Sequence, residues 1–260
     1  MTLERMCVAA LARDPATQAI EFADAWVCWG QIRELAERLN ALLQQSGVRA
    51  DAPIVFVPRN RPSAVAAFMG MLAQGRTVRM VYAFQSPAGL ARDLERLEPA
   101  LVVAAAEDFS PEVREALRAR GSAAIALTEL AVSAVAGLER CRAQRSADGP
   151  PSPEIQILTS GTTGPPKRLG LTHEMVARHI VGANKNYRAG DLDTSRQPPA
   201  FLYYPLGNIS GIYSVVPCLL RGHRMVLVER FSVDAWRQHI RRHRPERASL
   251  PPAGVQMVLD

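Results

Sequence analysis

Nine residues of this chain concentrate groups that could do chemistry: Thr159-Ser160-Gly161-Thr162-Thr163-Gly164-Pro165-Pro166-Lys167. Four hydroxyls, two glycines and a lysine follow a short apolar run ending in Ile157-Leu158. Such a stretch adds little to a hydrophobic core and suits the holding of phosphate. Glycine lets the backbone approach an anion closely and adopt positive φ. Backbone N–H groups and hydroxyls then donate hydrogen bonds, and the lysine adds a mobile charge. The prolines stiffen the exit and limit the entropy lost on ordering. The lysine itself stands out, because Lys167 and Lys185 are the only lysines among 31 basic residues. A compact ammonium can follow phosphate oxygens as they move, whereas a guanidinium favours planar two-pronged contacts.

A Walker-type loop, G-x-x-x-x-G-K-[ST], fails here at two diagnostic positions. Pro166 precedes the lysine, and Arg168 stands where a magnesium-binding hydroxyl belongs. The run 159–167 instead matches T-S-G-T-T-G-x-P-K, with Leu171-Thr172-His173 following. It closely resembles the signature of the adenylate-forming superfamily, which includes acyl-CoA synthetases, aryl-CoA ligases, luciferases and peptide-synthetase adenylation domains. The similarity extends to Trp29-Gly30-Gln31-Ile32, Ala66–Gly75, Tyr204-Pro205-Leu206-Gly207-Asn208-Ile209-Ser210-Gly211 and Arg221–Leu227. It thus covers almost the whole chain, at lower specificity outside the loop.

The resemblance implies a two-step reaction. A carboxylic acid attacks the α-phosphate of ATP to give acyl-AMP and pyrophosphate, and a thiol, usually that of coenzyme A, then displaces AMP. In this scheme Thr159, Ser160, Gly161, Thr162, Thr163, Gly164 and Lys167 hold the departing phosphates together with Mg2+. Gly207, Asn208 and Gly211 fall near the acid and AMP, where the family has P-L-F-H-x-x-G. The departures are informative. Arg168 replaces the family's usual glycine, and Gly207-Asn208 replaces the aromatic–histidine pair, which could widen the acyl pocket. Asparagine can hydrogen-bond but carries no charge. No acidic residue lies between Tyr203 and Cys218, which disfavours an amino acid as substrate. The later Y-G-x-T-E segment, ribose aspartate and catalytic lysine of the family are not found, so no catalytic residue is assigned. The resemblance is to an N-terminal portion whose remainder lies in the same or another chain. Three alternatives stay open: a catalytically incomplete nucleotide-binding or partner-dependent module, a peptide-synthetase-type fragment, and an unrelated α/β protein whose loop binds a phosphorylated metabolite.

Positioning such a loop requires a scaffold, and the pattern predicts an α/β fold of repeated β-α units with mostly parallel sheets flanked by helices. Helices are expected over 30–45, 64–74, 87–97, from Pro111 to near Gly121, from His173, over 209–219 with an interruption at Pro217, and over 233–242. Strands are expected over 54–57, 77–82, 101–105, 123–127, 155–158, near 169–171, and over 201–203 and 225–228. Residues 145–153, polar and rich in proline and glycine, read as a linker between sub-domains 1–144 and 154–260.

The remaining features exclude more than they assign. A net charge of +6 with pI near 9.5 raises nucleic-acid binding, but the cluster Arg237, Arg241, Arg242, Arg244 and Arg247 has no recognition motif and reads as a solvated helix face. Cys7, Cys28, Cys141 and Cys218 are too scattered for a zinc or redox pair. The longest apolar stretch, 64–73, is far short of the ~20 residues that span a bilayer, so the expected setting is the cytoplasm. His173-Glu174 opens like H-E-x-x-H, but residue 177 is alanine; His173 reads as a helix-start residue. His239 and His243, four apart, read as a surface pair for want of a third ligand.

Overall fold

The computed structural model describes residues 1–142, 150, 152–159, 167–184, 197–245, 250 and 252–259. It is a layered α/β structure built on two sheets. The elements run α1 (Leu3–Leu11), β1 (Gln18–Phe22), β2 (Ala25–Cys28), α2 (Trp29–Gln45), β3 (Ile54–Val57), α3 (Pro62–Ala73), β4 (Val78–Met80), α4 (Pro87–Leu97), β5 (Leu101–Ala105), α5 (Pro111–Arg120), β6 (Ala123–Leu127) and β7 (Val132–Ala134). Then come β8 (Glu154–Thr159), β9 (Lys167–Thr172), the short α6 (His173–Met175) continued by a π-helical segment Val176–Gly182, β10 (Ala200–Leu202), α7 (Ile209–Leu220), β11 (Met225–Leu227), α8 (Val233–His243) and α9 (Pro252–Leu259).

The larger sheet has the order β7-β6-β5-β3-β4-β8-β9, parallel except for its two edge pairs, β6–β7 and β8–β9. The smaller has the order β10-β11-β1-β2, with β1–β2 an antiparallel hairpin. Each sheet draws strands from both sides of residues 145–153, most of which lie outside the described residues. β4 pairs with β8, and β1 pairs with β11.

Local chemistry explains most of the boundaries. β3, β5 and β6 are fully buried apolar strands, as central parallel strands covered on both faces must be. α3 opens with Pro62 at its first turn, and all its residues from Pro62 to Leu72 are buried, so it forms the apolar middle layer between the two sheets. α4 and α5 cover the other face of the larger sheet through Leu90, Leu94, Val113 and Leu117. Both carry a serine N-cap followed by proline, and α5 ends on Gly121 at φ 66°, a left-handed cap that glycine adopts without penalty. Two expectations are corrected. α7 runs unbroken through Pro217 to Leu220. β4 is shorter than predicted, ending at Met80 so that residues 81–84 turn away as a loop.

Candidate functional site

The site lies where parallel strands end. A pocket is walled by Pro58 after β3, by Met80 to Phe84 at the end of β4, by Leu158 of β8, and by Pro205, Gly207 and Asn208 before α7. Ligands of open parallel sheets bind beyond the carboxyl ends of the strands, and β3, β4 and β8 point that end at this pocket. The 159–167 run begins there. Thr159 and Lys167 face each other across β8 and β9, and the Thr159 hydroxyl donates to the Lys167 carbonyl at 3.1 Å. Ser160, Gly161, Thr162, Thr163 and Gly164 lie outside the described residues. The exposed Lys167 side chain emerges one residue beyond the Leu158–Arg168 pair, of which Leu158 lines the pocket.

Arg168, the departure from the family glycine, folds back and donates to the Met80 carbonyl at 3.0 Å. Its guanidinium is half-buried, and burial, then the neighbouring Arg79, lowers its pKa. Arg79 in turn donates to Gln156 Oε1 at 2.6 Å. The two arginines therefore tie β4, β8 and β9 together on the α4 side of the sheet.

The 204–208 turn is fixed by a residue the sequence did not single out. Asn60 is buried and clamps the turn from the β3–α3 loop. Its Nδ2 donates to the carbonyls of Tyr204 at 3.0 Å and Val228 at 3.2 Å, and its Oδ1 accepts from Leu206 N at 2.9 Å. No motif announces Asn60; only the folded chain brings it 146 residues along to Leu206.

The predicted residues of this turn separate into distinct roles. Gly207 lines the pocket, and a Cβ there would stand 3.3 Å from Pro58 Cγ and 3.9 Å from the Val81 carbonyl. Asn208 also lines the pocket, but it caps α7 as well, accepting from Gly211 N at 2.9 Å. That bond fixes the amide orientation and leaves Nδ2 to offer a ligand. Gly211 is not on the pocket wall. A Cβ at this position would lie 2.1 Å from the Pro205 carbonyl oxygen, so glycine is required for α7 to sit against the turn. His173 differs from expectation too. It is buried, and its Nδ1 lies 2.6 Å from Glu4 Oε1, joining α6 to α1 instead of facing solvent. Burial alone would raise the Glu4 pKa, but the hydrogen bond with His173 and local backbone hydrogen bonding outweigh it and hold the carboxyl low.

The pocket rim carries a charge network. Arg59 contacts both oxygens of buried Asp108, at 2.5 and 3.2 Å, and Arg61 bridges Glu107 at 2.7 Å and Glu229 at 2.9 Å. Burial raises the Asp108 pKa against the opposing pull of Arg59. The Arg59 and Arg230 guanidinium groups lie 5.4 and 4.4 Å from the ring centre of Phe84, a pocket residue. Cation–π contacts of this kind hold an aromatic ring in place.

With this geometry in view, comparison with known proteins defines the class. The model of the AMP-binding enzyme family matches residues 7–260, and the chain belongs to that family. Among curated relatives, the sulfoacetate–CoA ligase of Cupriavidus necator is 27% identical over 211 residues, covering 79% of this chain and 40% of the relative. The indoleacetate–CoA ligase of Aromatoleum aromaticum is 26% identical over 254 residues, covering 95% of this chain and 49% of the relative. Among solved structures, the o-succinylbenzoate coenzyme A synthetase of Bacillus subtilis in complex with ATP and magnesium superposes with a TM-score of 0.73 at 19% identity, covering 98% of this chain and 50% of that one. That likeness establishes the fold, that of adenylate-forming acyl-CoA synthetases. The chain spans less than half the length of these two curated relatives. Among the described residues no helix is long and apolar enough to cross a membrane.

Proposed function

We propose that this chain supplies the phosphate loop and part of the acyl pocket of an ATP-dependent carboxylate–CoA ligase. The reaction joins a carboxylic acid to AMP with release of pyrophosphate, and a thiol, coenzyme A in our reading, then displaces AMP. The observation that carries this proposal is that the hydroxyl–glycine run leaves β8 one residue after Leu158, a wall residue of the pocket at the carboxyl ends of β3, β4 and β8, and returns at Lys167, paired with Thr159. Acid and phosphates would meet at that edge. The ligase relatives support the acid as substrate class, and the ATP–magnesium complex of the structural neighbour supports the nucleotide.

The loop's role is to hold charge as it develops on the leaving pyrophosphate. Donors set in place beforehand stabilise such charge without reorganising during the step. Lys167 supplies the mobile cation, Ser160 to Gly164 the N–H and hydroxyl donors, and Asn208 Nδ2 a neutral donor toward the carboxylate. The carboxylates beside the pocket, Glu107, Asp108 and Glu229, are paired with Arg59 and Arg61. They do not make a magnesium site, so the ion enters in this reading on the nucleotide. Contacts to adenine and ribose come from a further segment, in the same or another chain.

The test is carboxylate-dependent ATP–pyrophosphate exchange over aliphatic and aromatic acids, alongside calorimetry of ATP binding. Lys167→Ala should weaken ATP by about 10–100-fold, the loss of one charge-assisted hydrogen bond of ~1.5–3 kcal/mol, with unchanged thermal stability. ATP affinity identical in wild type and variant would remove Lys167 from the phosphate site.

A further inference from the structure

The outer face of the small sheet holds a cluster that the ligase reading does not use. Glu21 of β1 is in register with Val226 of β11, which is in register with Phe201 of β10, so the three share one face. α8 crosses that face. The rings of His239 and His243 lie 5.7 and 6.1 Å from the Phe201 ring, and the two imidazoles stack at 6.2 Å. Glu21 is 0% exposed. Burying a carboxylate is expensive unless it is neutralised and fully hydrogen-bonded. Arg242 Nη1 lies 2.9 Å from Oε1, and His243 Nε2 lies 3.0 Å from Oε2. Yet neither oxygen receives a well-directed hydrogen bond, and the same is true of the buried His239 Nδ1 and His243 Nε2. One donor atom each from Glu21, His239 and His243 falls within 4.8 Å of the other two.

We propose that Glu21, His239 and His243 bind a divalent transition-metal ion of the zinc type, which fastens α8 to the small sheet. The donor set is two imidazole nitrogens and one carboxylate oxygen, a combination that suits zinc. The i, i+4 spacing puts both histidines on one helix face. Zinc bonds of ~2.1 Å place tetrahedral ligands about 3.4 Å apart, so small rotations of the imidazoles close the present spacing. Arg242 takes Oε1 and also reaches Asp24 at 2.8 Å. It thereby leaves Oε2 aimed at the histidines, the task of an outer partner in a metal site. Its charge opposes the ion, and the second carboxylate, Asp24, offsets it. α8 docks through a half-buried face that includes Val233, Trp236, His239, Ile240 and His243, with none of its residues fully buried, so a metal bond would add to a modest contact.

The experiment uses the chain without a histidine tag, stripped with chelator and then titrated with zinc against a chromophoric competitor. One equivalent should bind at about 10 μM zinc or below, and thermal unfolding should move upward with zinc. Cobalt(II) in place of zinc should give the visible d–d bands of a low-coordinate nitrogen–oxygen site. His239→Ala, at a part-exposed helix position, should weaken zinc by more than about 100-fold, beyond what loss of an outer partner does. Glu21→Gln should weaken it as well, with circular dichroism checking the fold. A wild-type chain that takes up no zinc would overturn the proposal and leave a closed Glu–Arg–His ion cluster. Uptake that survives His239→Ala together with His243→Ala would overturn it equally.

Discussion

Replacing Asn60 by alanine tests whether the pocket wall is held from the β3–α3 loop. The side chain is 2% exposed and makes three hydrogen bonds to main chain, two as donor to Tyr204 and Val228 and one as acceptor from Leu206. Alanine leaves two carbonyls and one N–H without partners in a region that water reaches poorly. At ~1 kcal/mol for each lost bond, the low end of the range for orphaned groups, the loss is about 3 kcal/mol. For a chain of this size 1 kcal/mol shifts the melting temperature by about 2–4 °C, so the variant should melt about 6–12 °C below wild type. The assay is thermal unfolding followed by circular dichroism, paired with calorimetric binding of a non-hydrolysable acyl-adenylate analogue. Affinity should fall with stability, because the turn that Asn60 anchors carries Gly207 and Asn208 into the pocket. A melt within about 2 °C of wild type, with unchanged analogue affinity, would refute the anchoring role.

Gly207→Leu should fill the pocket beside Pro58. A bulky aromatic acyl-adenylate analogue should bind at least about tenfold more weakly, since one or two misplaced methylenes are worth that much, while a two-carbon analogue is little affected. Equal affinities for both analogues in both proteins would remove Gly207 from the acyl wall. Glu4→Gln should carry a pH signature. The folded pKa of Glu4 is lowered, so its stabilisation is complete above the unfolded value near 4.3 and fades as pH falls through the folded value. The unfolding free energy of the variant from urea titration should therefore sit below wild type at pH 7, by on the order of 1 kcal/mol, and converge with it near pH 3. A gap that persists at low pH would assign the effect to packing instead of charge.

What the sequence disclosed follows from how each signal is encoded. β3, β5 and β6 were legible because strands buried on both faces are continuous apolar runs. α4 and α5 were legible because proline opens them and, for α5, glycine closes it. The β1–β2 hairpin carried no expectation, since Glu21 interrupts the alternation of β1 and the pairing with β11 is long-range. The hydroxyl–glycine run was legible as a string, and its first residue, Thr159, follows Leu158 of the pocket wall and pairs with Lys167. Asn60, the Glu4 partner of His173 and the Glu21 partner of His243 were not legible, because each is joined to its contact by the fold and lies far off in sequence. Gly211 was visible as a motif glycine, but only the 2.1 Å approach of the Pro205 carbonyl gives the reason.

The pairing of β1 with β11 has a consequence for how the chain is made. Arg13 reaches the carbonyls of Leu219 and Leu220 across a separation of 206 residues, and β1 waits for β11 over a similar span. Contacts so distant close late, because the loop entropy must be met before they stabilise anything. During synthesis the first hairpin therefore leaves the ribosome with an open edge, the kind of edge that pairs with other chains. Glu21 in the middle of that edge strand puts a charge on one face of the unpartnered hairpin. Charge on an unpaired strand edge is one way sheet proteins discourage pairing with other chains, and the carboxylate that is costly inside the finished sheet lies on that edge until β11 pairs with it.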